Sequence, residues 1–187
     1  LNLGGFANIS FDNSKRKRIA FDICPVNIVL NELAGEIGKE FDKGGKLASK
    51  GRVDTGLLAS LNALSFYSAQ TPKSLGREWV ERHFLPVMNL FDIPARDKLR
   101  TVVEHIAIQI AHVVNRQFAR KDQKCRLLIT GGGAYNGFLI SRIASAAKAR
   151  IIIPDDKTIQ FKEAMAFALL GVLKMRNEIN ILKSVSM

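Results

Sequence analysis

The sequence is poor in the residues that mark most catalytic and membrane classes. Its 187 residues include two cysteines, Cys24 and Cys125, far apart and forming neither a metal-ligand spacing nor a disulfide framework, as in proteins of a reducing compartment. There are three histidines. His105 and His112 lie on one predicted helix at a spacing wider than helical zinc sites use, and His83 has no partner in sequence, so all three read as structural or exposed. No G-x-S-x-G elbow is present, nor any cysteine and histidine pairing suited to nucleophilic catalysis. No apolar run approaches a bilayer span, and no signal core opens the chain, which makes a cytoplasmic setting the expectation. Acidic residues are scarce, 17 against 28 lysines and arginines, for a formal charge of +11. Such a surplus invites a nucleic-acid reading. Its one dense cluster, Lys15 to Arg18, follows Asp12, Asn13 and Ser14 where a hairpin should turn, and no aromatic platform accompanies it. A solvated loop is the reading that fits, and no nucleic-acid partner is expected.

What is present points to a folded α/β unit. The length suits one ordinary domain or two small ones, and a 47% apolar share suits a packed core. Leu1 to Phe11 reads as a strand with an internal glycine pair, and Arg18 to Asp22 as its antiparallel partner. Helices are expected from Asn27 to about Ile37, from Asp54 or Thr55 through Leu64, and from Ser74 onward to Phe84, with Trp79 as a packing anchor. A proline-marked connection follows at Pro86 and Pro94. Leu99, Val102, Val103, Ile106, Ile110, Val113, Val114 and Phe118 then trace one stripe of a long amphipathic helix. The remainder reads as strand (Arg126 to Thr130), glycine turn, helix (Gly137 to Lys148), strand (Arg150 to Ile153) and helix (Lys162 to Met175). That last helix is apolar nearly all round and is expected to be buried on more than one side. Leu1 opens inside a strand without an initiating methionine, the pattern of a piece of a longer protein.

Two glycine-bearing turns, Gly4-Gly5 and Gly131-Gly132-Gly133, are the best candidates for a ligand site. A strand that runs through glycine into a helix presents backbone N–H groups and a positive dipole end. The triplet is not a dinucleotide fingerprint, because Asn136 stands where the last glycine belongs. It is not a P-loop either, because Phe138 and Leu139 replace the lysine and hydroxyl residue. Nearby polar residues extend the set. Asn8 follows the first glycine pair, and Asp22 and Asn27 flank Pro25, where Asp22 could help hold a magnesium-bound water or cap a turn. Glu163 opens the last predicted helix, where the dipole favours a carboxylate.

Five ordered segments, LNLGGFANIS, FDICPVN, TPKSLGRE, LLITGGGAYN and KEAMAFALLG, resemble the C-terminal half of the anhydro-N-acetylmuramic acid kinases, members of the sugar kinase, Hsp70 and actin superfamily. The resemblance runs from Leu1 to about Met175. It implies an α/β, ribonuclease-H-like lobe with an opening hairpin and a mixed sheet covered by helices. Residues 1–176 would form that lobe and 177–187 a tail. It also implies an ATP- and Mg2+-dependent kinase that adds water across the 1,6-anhydro bond of its amino sugar and phosphorylates O6, giving N-acetylmuramic acid 6-phosphate and ADP in peptidoglycan recycling. Gly4, Gly5 and Asn8 would correspond to the second phosphate loop, and Gly131, Gly132, Gly133 and Asn136 to the adenosine motif. Asp22 and Asn27 would lie near metal or phosphate, and Glu163 would face the sugar. The family's catalytic aspartate and first phosphate loop lie upstream of Leu1, so no catalytic residue is expected in this chain, which alone should be inactive and should partner an N-terminal lobe of the same protein. Self-association into a homodimer is left open.

The sequence departs from the family where FDTGPGN is usual. Cys24 and Val26 replace two glycines, and Asn31 stands in place of an aspartate. Bulkier side chains limit backbone approach to a ligand. A related kinase for another sugar, or a non-catalytic nucleotide- or partner-binding lobe, therefore stays in view.

Overall fold

The computed structural model describes residues 1–13, 15–118 and 125–180, with Phe118 given by its backbone alone. Strands β1 (Asn2–Leu3), β2 (Phe6–Asp12) and β3 (Arg18–Pro25) form an antiparallel meander, and β4 (Arg126–Leu128) pairs in parallel with β5 (Arg150–Ile152). A parallel bridge between Asn2 and Thr130 joins the two pieces. The strands therefore run β3-β2-β1-β4-β5, a mixed sheet. The expected single strand from Leu1 to Phe11 is corrected to two, because the chain folds back at Gly4-Gly5 and pairs Leu3 with Ala7. The tip of the β2-β3 hairpin is the basic cluster. Asn13 Oδ1 accepts from the Lys15 and Lys17 N–H groups, and Arg18 pairs with Asp12 at 3.5 Å, so this stretch is a solvated loop. Ser14, expected in the same turn, lies outside the described residues.

Helices α1 (Asn27–Gly35), α2 (Thr55–Asn62), α5 (Ala95–Phe118) and α6 (Gly137–Ala146) supply about half of the core, and α5 more of it than any other element. Helix α5 is the spine, packing on α1, α2, α6 and β3. Of its apolar stripe, Leu99, Val102, Val103, Ile106, Ile110 and Val114 are fully buried as the 3.6-residue period requires, while Val113 at the stripe's edge is half-buried. The Phe118 side chain, part of the expected stripe, lies outside the described residues. Asp54 caps α2 by accepting from the Leu57 N–H at 2.7 Å.

A short helical turn α3 (Arg77–Trp79) passes through a π-type turn (Val80–Phe84) into α4 (Leu85–Asn89). The helix expected from Ser74 thus begins at Arg77, because the Ser74 hydroxyl and the Leu75 N–H are tied to Asp22 and both residues stay outside the helix. Pro86 lies inside this helical run and not in a connection. The wider turn before it lets the chain pass a residue with no N–H to donate.

Helix α7 (Asp156–Met175) begins six residues earlier than its apolar density suggested. Asp155 caps it, accepting from the Thr158 N–H at 2.9 Å and from the Thr158 hydroxyl. The expectation that α7 is buried on more than one side is overturned. Only Ile159 is buried, while Phe161, Met165, Phe167, Leu169, Val172 and Met175 are more than half exposed. An all-round apolar helix signals that something must cover it, not that this stretch of chain does. Arg176 closes the helix. Of the expected tail, residues 181–187 lie outside the described residues.

One buried polar cluster sits against α5. Asn62 Oδ1 lies 2.7 Å from His105 Nδ1 and accepts from Gln109 Nε2 at 2.8 Å, and His105 Nε2 lies 2.8 Å from the Tyr67 hydroxyl. An amide oxygen can only accept, so the imidazole carries its proton on Nδ1 and accepts from tyrosine. Burial holds His105 down at about 3 and pushes the Tyr67 hydroxyl up. The unfolded chain takes up a proton below about pH 6.5 that the native state refuses until about pH 3. Stability therefore falls as pH falls through that window, by up to about 1.4 kcal/mol per unit. Urea melts of the protein and of His105→Gln between pH 7 and 4 check this: the variant should be less stable at pH 7 and flatter in its pH dependence.

Candidate functional site

The two glycine turns meet. The Leu3 N–H donates to the Thr130 carbonyl at 2.7 Å, and the Thr130 N–H donates to the Leu1 carbonyl at 3.0 Å. Gly131 adopts φ +84°, where a Cβ would lie 2.7 Å from the Leu3 carbonyl oxygen, and a Cβ on Gly133 would lie 2.6 Å from the Leu3 Cβ. Both glycines are required by this close crossing of backbones. Gly132 differs: its φ is ordinary, and a Cβ would meet nothing closer than Asn27 Nδ2 at 3.6 Å.

The Gly4-Gly5 turn lies over the start of α1. The N–H groups of Val26 and Ile28 donate to the Gly5 carbonyl, and that of Asn27 donates to the Gly4 carbonyl at 3.2 Å. Asn27 Nδ2 reaches the Leu3 carbonyl at 3.4 Å. Asn27 is thus the side chain around which both glycine turns close. Cys24 and Val26, which stand where glycines were expected, are fully buried in the core, so their bulk does not enter the space over the turns. Burial also pushes the Cys24 thiol well above its usual range, which leaves it inert.

Two cavities flank Asn27 and Asn31. One, of about 720 Å³, is lined by Asn27, Leu30, Asn31, Phe41, Asp42, Lys43, Gly44, Lys46, Gly132, Tyr135 and Asn136. The other, of about 680 Å³, is lined by Gly5, Asn27, Ile28, Asn31, Glu32, Arg77, Val80, Glu81 and Leu85. The first has apolar and aromatic walls with amides at the edge, which suits a planar heteroaromatic ligand. The second joins a glycine turn to amides and mixed charge. Burial, and then Glu36, raise the Glu32 carboxyl above its usual range. Asn136 caps α6 by accepting from the Leu139 N–H at 3.0 Å.

Of the residues singled out from the sequence, Gly5, Asn27, Gly132 and Asn136 line this pair of cavities, whereas Gly4, Gly131 and Gly133 line neither and serve the turns beside them. Three others stand apart. Asn8 is exposed and borders a separate groove with Lys162. Asp22 lines neither cavity. Its Oδ2 accepts from the Leu75 N–H at 2.8 Å and from the Ser74 hydroxyl at 3.1 Å, clamping the TPKSLGRE segment to β3. Glu163 lies on an exposed face two turns into α7, beyond the reach of the helix N-terminus, so the dipole reading of it is set aside. Among the described residues no three or more His, Cys, Asp or Glu side chains gather as metal ligands. His83 stacks on Trp79 at 5.5 Å, and His112 is exposed. Sequence reasoning places a loop at Gly44 and Gly45 but not its role in lining a cavity, and it missed Tyr135 and Arg77 as lining residues. Gly44 and Gly45 among lysines were the one available signal for the loop.

The profile of the family described as anhydro-N-acetylmuramic acid kinase matches residues 1–185. Relatives carrying that name include proteins of Gamma-proteobacterium EBAC31A08 (32% identical, covering 100% of this chain and 51% of the relative), Gloeobacter violaceus (34%, 92% and 48%) and Pseudomonas savastanoi pv. phaseolicola (35%, 91% and 48%). The chain thus spans about half the length of these relatives. Among solved structures, the activator of the 2-hydroxyisocaproyl-CoA dehydratase from Clostridium difficile, with bound ADPNP, superimposes with a TM-score of 0.53 at 15% identity, covering 97% of this chain and 63% of that one. The shared fold is that of an actin-like ATPase lobe, in line with the strand order above.

The glycine geometry separates the two positions that close packing requires from the one that faces an open cavity. Gly131→Ala and Gly133→Ala should each destabilise the protein by about 1–3 kcal/mol in denaturant melts, through strain and overpacking against Leu3. Gly132→Ala should stay within about 1 kcal/mol of the parent.

Proposed function

The chain belongs to the anhydro-N-acetylmuramic acid kinase family, and from that premise we propose that it supplies the nucleotide-binding lobe of an ATP-dependent amino-sugar kinase. The observation that carries this reading is the closure of both glycine turns around Asn27, with one cavity suited to a base and a second opening beside Gly5. Adenosine would rest on Gly132 and Asn136. The phosphates would run past Asn27 toward the Gly4-Gly5 turn, where the α1 dipole favours negative charge although the first N–H groups of that helix are already donated to Gly4 and Gly5.

The reaction proposed for the whole protein is the family's. Water adds at the anomeric carbon of 1,6-anhydro-N-acetylmuramic acid and breaks the C1–O6 bond. O6 takes the γ-phosphoryl of ATP as the bond to ADP breaks, and the proton from water passes to a base that this chain does not provide. Phosphoryl transfer demands positioning and charge stabilisation above all, and that is what these residues offer. Mg2+ would enter with the nucleotide's phosphates and neutralise their charge. The described residues form no carboxylate cluster to hold the ion independently, so their own part is to orient the nucleotide. Residues 1–176 would then be one lobe, the C-terminal one. The exposed apolar side of α7 would be covered by the remainder of the protein, and the lobe alone would not turn over.

For the full-length protein, ADP release should depend on both 1,6-anhydro-N-acetylmuramic acid and Mg2+ in a coupled assay. Turnover with a different sugar and none with this one would reassign the substrate. Gly132→Val, which pushes a branched side chain into the base cavity, should raise the KM for ATP about tenfold or more while the protein stays folded.

A further inference from the structure

Phe41, Asp42, Lys43, Gly44 and Lys46, within residues 41–48, line the base cavity together with Gly132 and Asn136, and the loop is built to hold one position. Asp42, 7% exposed, spends both carboxylate oxygens on its own loop, accepting from the Leu47 N–H at 2.8 Å and the Ala48 N–H at 2.9 Å. Gly44 and Gly45 turn the chain with φ of +68° and +75°. Gly45 is buried against the adenosine-motif turn: a Cβ there would lie 2.3 Å from Asn136 Oδ1 and 2.5 Å from the Phe138 Cβ. Asn136 Oδ1 is the cap of α6, so it cannot yield without uncapping that helix. Phe138 is packed in turn under the Arg100 guanidinium at 4.8 Å. On the cavity side, Phe41 and Tyr135 are about half exposed, large aromatic surfaces left open within a cleft.

We propose that the 41–48 loop is the base-side wall of the nucleotide site, and that Gly45 is a positioning residue whose backbone contact with Asn136 sets the width of the slot for a purine. This rests on the nucleotide reading above. A fixed gap between an aromatic wall and a glycine floor gains affinity from preorganisation, because little is spent on ordering when the ligand enters. Any side chain at Gly45 drives the loop away from Asn136 and widens the slot. Contacts to phosphate, on the far side of Asn27, are left as they were.

The test uses full-length protein and two probes, ADP and inorganic tripolyphosphate, titrated calorimetrically into the parent, Gly45→Ala, Phe41→Ala and Gly132→Val. Gly45→Ala should weaken ADP about tenfold, leave tripolyphosphate unchanged, and raise the KM for ATP with kcat and the sugar KM within about twofold. Phe41→Ala, which does not alter the Asn136 contact, should lose ADP affinity in the same selective way and serves if Gly45→Ala fails to fold. Unchanged ADP affinity in folded Gly45→Ala and Phe41→Ala, with loss in Gly132→Val, would overturn the wall and spare the site. Unchanged ADP affinity in all three variants would overturn both. Equal loss of ADP and tripolyphosphate in Gly45→Ala would also overturn the wall, since a base-side slot does not touch phosphate.

Discussion

Everything near the site depends on the seam between Leu3 and Thr130. Two backbone hydrogen bonds there turn an antiparallel meander and a parallel pair into one five-stranded sheet. The seam leaves no room for a Cβ on its second side, which is why Gly131 and Gly133 stand against Leu3. Once the seam forms, the opening hairpin turn and the glycine triplet lie at the same end of adjacent strands, and α1 begins between them. The cavities are the space left over. Ligands of α/β sheets gather at such crevices because helix N-termini and strand ends expose backbone donors there.

The sheet is held in place by α5. Its apolar stripe fills the core, while its polar residues tie down the connections: Thr101 accepts from the Asp54 N–H, His105 locks Asn62 and Tyr67, and Glu104 takes both a nitrogen of Arg142 on α6 at 2.8 Å and Arg100 on its own helix at 4.0 Å. A buried neutral imidazole with both nitrogens satisfied costs little and fixes geometry. The same residue read as a metal ligand would have had to leave these partners.

Periodicity made most of the fold legible. The α5 stripe, the Asp54 cap, the hairpin and the two late strands follow from local patterns that tertiary packing had no reason to override. The misreadings have one physical source each. The start of α7 is set by a cap, Asp155 with Thr158, lying upstream of the apolar residues that drew attention. The late start of α3 comes from Asp22, 52 and 53 residues away in sequence, which ties Ser74 and Leu75 outside the helix. The exposure of α7 reflects that hydrophobicity announces burial without naming the partner. For the site, glycine turns were visible because backbone conformation is encoded locally. The 41–48 wall was not, since its pressing against Asn136 is a distance of ninety residues in sequence and nothing in KGGK reports it. Phe41 and Tyr135 read as ordinary aromatics until a cavity lay beside them.

The division of labour within the glycine triplet bears on how relatives that have lost activity should be recognised. Gly131 and Gly133 are demanded by folding alone, so a descendant that no longer handled nucleotide would still keep them, and their presence certifies only an intact sheet. Gly132 has no such duty. A side chain there fits the backbone and would intrude only upon a ligand in the proposed nucleotide cavity, so that single position is where a relative without nucleotide to bind would first be free to drift.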